Sequence, residues 1–125
     1  MNMRKRIITT FAAAAIGTAL GVAVVSRLPR ELKGLVTDTS KVCMVTDKVF
    51  ARTQMPVVVS GKTYYGCCAG CVGRLNADRK ARVAADPVSG REVDKSEAVI
   101  LEGEGGAALY FESEDTARRY RASAS

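Results

Sequence analysis

The sequence predicts a small α+β fold of two hairpin-plus-helix units in tandem, preceded by one apolar segment long enough to cross a membrane. Three observations carry this. Residues 7–25 hold no charged side chain. In each half, β-branched runs and turn residues precede a stretch of helix formers. The second half repeats the first after about 45 residues. All four cysteines fall in the first copy, and the chain has no histidine. Its site chemistry is therefore thiol chemistry.

At the N-terminus, Arg4-Lys5-Arg6 precedes the apolar run, whose 19 residues are rich in Ala, Val and Ile. That length suits a spanning helix and exceeds the apolar core of most cleaved signal peptides, although Gly21-Val22-Ala23 offers a small-residue cleavage site. The expectation is a retained signal anchor. The chain would pass the cell membrane once, with a cytoplasmic N-terminus and an exported, periplasmic remainder. Arg27, Arg30 and Lys33 on the far side weigh against that orientation. A core helix apolar on every face would need more protein around it than this chain supplies. Residues 1–35, closing on a linker with Pro29, form the first division.

The net charge is +6, but residues 1–35 hold six Lys/Arg against one acidic residue, while residues 36–125 hold 13 against 12. The basicity is thus a topology signal, and no phosphate-tracking face for nucleic acid is present. Arg79-Lys80-Ala81-Arg82 reads as a solvated helix face.

Residues 36–85 form the first unit. Val42-Cys43-Met44-Val45 is a short apolar segment, and Thr46-Asp47-Lys48 is a turn before Val49-Phe50, so the segment is a knuckle presenting Cys43. Pro56-Val57-Val58-Val59, the turn Ser60-Gly61-Lys62 and Thr63-Tyr64-Tyr65 make a hairpin. Helix formers cover residues 69–85, interrupted around Asn76-Ala77-Asp78. The thiols fall at the helix entrance.

Residues 86–125 form the second unit. Val88 to Val93 has the character of the first knuckle, Ala98-Val99-Ile100-Leu101 that of the first strand, and Gly106 to Tyr110 that of the second. In this register Ser89 takes the place of Cys43, Glu112 and Ser113 those of Cys67 and Cys68, Thr116 that of Cys71, and Tyr120 that of Leu75. Gly103, Gly105 and Gly106 supply the hairpin turn, and Glu112, Glu114 and Asp115 an acidic helix start favoured by the helix dipole.

Cys67 and Cys71 are four apart, which on a helix places them on one face about 6 Å apart. With Cys43 brought in by the knuckle, three thiolates could share one soft ion, Zn(II) or Cu(I). Three thiolates differ from a closed structural zinc site, which takes four ligands, and suit a protein that carries or senses metal. Cys68 points about 100° around such a helix and is the less natural co-ligand, with a place in the core, as a spare thiol, or as a fourth ligand if the first turn is irregular. Met44 and Met55 read as packing residues rather than thioether ligands.

Cys43, Cys67 and Cys71, with Gly61-Lys62-Thr63-Tyr64-Tyr65 leading into the pair, resemble the TRASH domain and the related YHS domain. Asp86-Pro87-Val88-Ser89-Gly90 is similar to the YHS opening, and Leu109-Tyr110-Phe111 to its aromatic strand. The resemblance implies treble-clef-like units, heavy-metal coordination by Cys43, Cys67 and Cys71, and a role in metal trafficking, sensing or resistance beside a metal transporter or donor protein. It implies no catalysis. The second unit lacks the cysteines and would not bind soft metal. Gly66 stands where the family often has an aromatic residue, and is expected to loosen packing beside the site.

Two other readings use the same residues. Four cysteines in an exported chain could form two disulfides stapling an interaction module, and Cys68-Ala69-Gly70-Cys71 is formally a Cys-x-x-Cys redox pair. No phosphate-cradling loop, acid and base pair or nucleophile triad is present.

Overall fold

The computed structural model describes residues 31–124. The apolar run expected to anchor the chain lies outside the described residues. Among those described, no helix is long and apolar enough to cross a membrane.

The described chain is a small α+β fold of two-stranded antiparallel hairpins and two helices. A 3-10 turn over Thr39–Lys41 leads into β1 (Val42–Cys43), which returns as β2 (Lys48–Val49). β3 (Met55–Val59) and β4 (Lys62–Gly66) make the next hairpin, and α1 (Ala69–Ala77) follows. The same order then recurs. A 3-10 turn over Arg79–Arg82 precedes β5 (Val83–Ala85), β6 (Glu92–Asp94), β7 (Val99–Glu102), β8 (Ala108–Phe111) and α2 (Glu114–Ser123).

Local chemistry sets these boundaries. Val59 pairs with Lys62, so the β3–β4 turn is the two residues Ser60 and Gly61, both at positive φ (52° and 76°). A turn of that hand matches the twist of the strands it joins. The helix expected over 69–85 stops at Ala77 because Asp78 takes extended backbone and its carboxylate accepts from the Lys80 N–H at 2.9 Å, starting the 3-10 turn instead. The turn then delivers Val83–Ala85 as a strand. Arg79–Arg82 is not simply a solvated face: Ala81 is buried, and Arg82 lies over the Tyr64 ring while donating to the Leu75 carbonyl near the end of α1. At α2, Ser113 accepts from the Thr116 N–H, and Glu114 and Asp115 occupy the first turn, where the helix dipole favours them.

One core serves both halves. Val42, Met44, Tyr64 and Leu75 pack with Val93, Ile100, Ala108 and Tyr110. A smaller cluster of Leu101, Phe111 and Ala117 sits under α2. Polar links cross the same boundary. Asp94 accepts from Tyr64 Oη (2.9 Å) and Lys62 Nζ (3.0 Å) on β4. The buried Lys95 ammonium donates to the Met44 carbonyl (2.7 Å) and Asp47 Oδ1 (2.8 Å), 5.1 Å from the centre of the Tyr110 ring. The second half therefore grips the β1–β2 knuckle from behind, next to Cys43.

Candidate metal centre

Three of the sequence-selected cysteines meet. Cys43 ends β1 and is buried, Cys67 directly follows β4, and Cys71 lies in the first turn of α1. Their Sγ atoms all lie within 4.8 Å of one another, and Cys67 and Cys71 are 3.6 Å apart. Three sulfurs each about 2.3 Å from one ion stand roughly 4 Å from each other, so this set fits a single soft ion.

The contact does not arise as helical spacing suggests. α1 begins at Ala69, so Cys67 precedes the helix, and Cys68 is its N-cap. The two sulfurs meet because β4 runs into α1 with only Cys67 and Cys68 between. Gly66 makes this approach feasible. A Cβ there would stand 2.8 Å from the Cys71 Cβ and 3.1 Å from the Val72 nitrogen. The expectation that Gly66 loosens the site is thus reversed, since its missing side chain is what lets the helix close on the strand.

Cys68 is exposed and outside the group of three, although its Sγ lies 3.6 Å from that of Cys71. All four cysteines are free thiols. Met44 is a core residue, as expected, while Met55 is half-exposed and pairs with Gly66 across the hairpin.

The surroundings set the thiols apart. Burial pushes the Cys43 thiol up, but hydrogen bonds from the Thr46 hydroxyl and from the N–H groups of Thr46, Val45 and Cys67 outweigh it and bring the pKa down to about 7. Burial and the neighbouring sulfurs of Cys67, Cys68 and Cys43 push Cys71 up to about 12. Cys67 is drawn down by its contact with Cys71 but left above its ordinary value by Cys43 and burial. The Cys71 N–H and side chain and the Gly70 N–H, at the open end of α1, lower Cys68. Of the three clustered thiols, Cys43 in the knuckle is the one drawn toward ionisation. A metal binding there would displace the remaining protons.

The corner of the second half that corresponds to this one is occupied differently. Asp86 closes the β5–β6 knuckle by pairing its N–H with the Arg91 carbonyl, as Cys43 pairs with Lys48 across β1–β2. The carboxylate accepts from the Val88 N–H (2.7 Å) and Ser89 N–H (3.1 Å) on Oδ1, and from the Glu112 N–H (2.8 Å) and Thr116 Oγ1 (2.7 Å) on Oδ2. These are the counterparts of Val45, Thr46, Cys67 and Cys71 around the Cys43 sulfur. Asp86, and not Ser89, therefore stands at the position of Cys43, and Ser89 is exposed. Glu112 and Thr116 hold the expected positions directly after β8 and in the first turn of α2. Burial raises the Asp86 carboxyl, but the four donors outweigh it and hold its pKa at about 2.

The sequence carried a signal for Asp86. An aspartate before proline commonly accepts from N–H groups two and three residues on, as this one does. The register misses it because the second half is one residue longer between the knuckle and the hairpin, and one longer within the hairpin.

The chain matches no protein-family model, no curated protein and no solved structure.

Proposed function

We propose that this protein captures a soft metal ion, Cu(I) or Zn(II), on Cys43, Cys67 and Cys71 and hands it on by ligand exchange. The observation that supports this most directly is the meeting of the three sulfurs within 4.8 Å at the junction of a knuckle, a strand and a helix N-terminus. Three thiolates leave a coordination position open to an incoming donor. On this reading the chain is a pair of TRASH/YHS-like, treble-clef-like units. The first binds metal, and the second is closed by Asp86. Residues 7–25 tether the pair to the membrane, with the folded part outside the cytoplasm beside a metal transporter or donor. No reaction is catalysed.

The test is metal content and free-thiol count on the purified protein, without added reductant. About one equivalent of Cu or Zn per chain, lost in Cys71→Ser and retained in Cys68→Ser, is expected. Absence of both metal and titratable thiols would overturn the reading in favour of disulfides. Retention of tight binding in Cys71→Ser would overturn the ligand assignment.

A further inference from the structure

The four thiols are graded from the interior to solvent. Cys43 is fully buried, Cys67 and Cys71 are half-buried, and Cys68 is exposed. Cys71 has two sulfur neighbours at the same 3.6 Å, Cys67 on the inner side and Cys68 on the outer. Cys68 lies outside the group of three. It is the N-cap of α1, where its sulfur lies by the Gly70 and Cys71 N–H groups without a hydrogen bond of full capping geometry. Serine, threonine, aspartate or asparagine would fill that cap as well or better, so the position does not itself call for a thiol.

We propose that Cys68 is a relay thiol, through which the metal passes between the three-sulfur centre and a thiol-bearing acceptor or donor in solution. The inference rests on the metal-binding reading above. In the outward step a bond from the ion to the Cys68 sulfur forms as the bond to Cys71 breaks. The Cys68 proton passes to the Cys71 sulfur, so neither the electron count nor the net proton count changes. An acceptor thiol then repeats the exchange at Cys68, where solvent gives it access, and afterwards at the remaining sulfurs. The Cys43 sulfur itself is fully buried, so an acceptor does not reach the ion from that side.

The experiment uses the full chain loaded with one equivalent of Cu(I), with dithiothreitol as acceptor. Transfer is followed by stopped flow for the wild type and Cys68→Ser, and affinity is measured by competition with bathocuproine disulfonate. A tethered thiol acts at an effective concentration of millimolar order, against a micromolar acceptor, so Cys68→Ser should slow transfer by about tenfold or more. Its affinity should stay within about twofold of the wild type, because a relay lowers a barrier without changing the end states. Iodoacetamide labelling of the loaded protein gives a second readout, with Cys68 modified and the other three protected. Equal transfer rates, loss of Cu(I) binding in Cys68→Ser, or protection of all four thiols would each overturn the relay. A wild type that holds no Cu(I) would instead overturn the metal reading itself, and the relay with it.

Discussion

Asp86→Asn changes one atom of a buried carboxylate and tests whether this residue closes the second half. Oδ1 can go on accepting from Val88 and Ser89 after the change. The new amide NH2 would face the Glu112 N–H and the Thr116 hydroxyl, which now reach Oδ2 at 2.8 and 2.7 Å. The hydroxyl can rotate to accept, but the N–H cannot. The charge-assisted bond from Glu112 is lost at about 1.5–3 kcal/mol, its orphaned N–H costs about 1–3 kcal/mol more, and the Thr116 bond drops from charged to neutral strength, so the expected cost is about 3–5 kcal/mol. Urea denaturation of the purified protein at neutral pH measures it, with Ser89→Ala as the comparison. The Ser89 hydroxyl accepts only a 3.3 Å bond from the Arg91 N–H at the surface, so that variant should lie within about 0.5 kcal/mol of the wild type. The pH dependence is a second check. The folded pKa of Asp86 lies at about 2, below the ordinary value of 3.8, so its contribution is present above about pH 4 and is lost as pH falls toward 2. That shift corresponds to roughly 2–2.5 kcal/mol at neutral pH. Asp94 is also held at about 2, so acid unfolding of the wild type alone mixes the two groups. The wild type minus Asp86→Asn difference isolates Asp86, and it should narrow between pH 4 and 2. A cost below about 1 kcal/mol, or an equal cost for Ser89→Ala, would refute the assignment of Asp86 to the position of Cys43.

Two further predictions follow from the same corner. Gly66→Ala places a methyl group 2.8 Å from the Cys71 Cβ and 3.1 Å from backbone, so it should destabilise the protein by about 1–3 kcal/mol in urea and weaken metal retention; an unchanged urea midpoint and affinity would show that α1 does not need this approach. Replacing Asp86, Glu112 and Thr116 together by cysteine should raise bound metal from one to two equivalents per chain by elemental analysis, whereas a folded triple variant that still holds one equivalent would show that the two corners are not equivalent.

Much of the first half was legible because its signals are local. The knuckle at Cys43, the Ser60-Gly61 turn and the junction before α1 are each written in consecutive residues, and the strands fall within a residue or so of where β-branching and tyrosines place them. Cys67 and Cys71 were drawn together by helical spacing, although it is the strand entering the helix that joins them, and Cys43 was added as the remaining thiol of a distant knuckle. The second half was harder. Serine resembles cysteine in size, and Ser89 lies one residue beyond the position that the spacing of Cys67 and Glu112 assigns to Cys43, which is close enough to draw the match. The structure spreads two extra residues over a connection and a hairpin, which moves the match to a carboxylate of different chemistry. Gly66 was misread because its role is a distance to a helix that sequence does not contain. Lys95 left no signal at all. Its partners Met44 and Asp47 are far away along the chain, and a buried ammonium is recognised only by what surrounds it.

The two corners differ in what they need to be complete. Asp86 has its oxygens filled by four donors from the chain itself, so the second half closes without an ion. At the thiol corner only the Cys43 sulfur is enclosed by donors, from Val45, Thr46 and Cys67, and sulfur accepts weakly, while burial and the neighbouring sulfurs push the Cys71 thiol up. In an isolated small metal domain this would leave the ligand-free chain unfolded, and binding would have to drive folding. Here the core is shared across both halves, and Lys95 holds the carbonyl of Met44, the residue after Cys43. The self-closed half therefore keeps the knuckle in place when no metal is bound. On the metal-binding proposal, binding free energy would then not be consumed in folding, and an ion could leave without the domain coming apart. That separation is what a carrier requires and a purely structural zinc site does not.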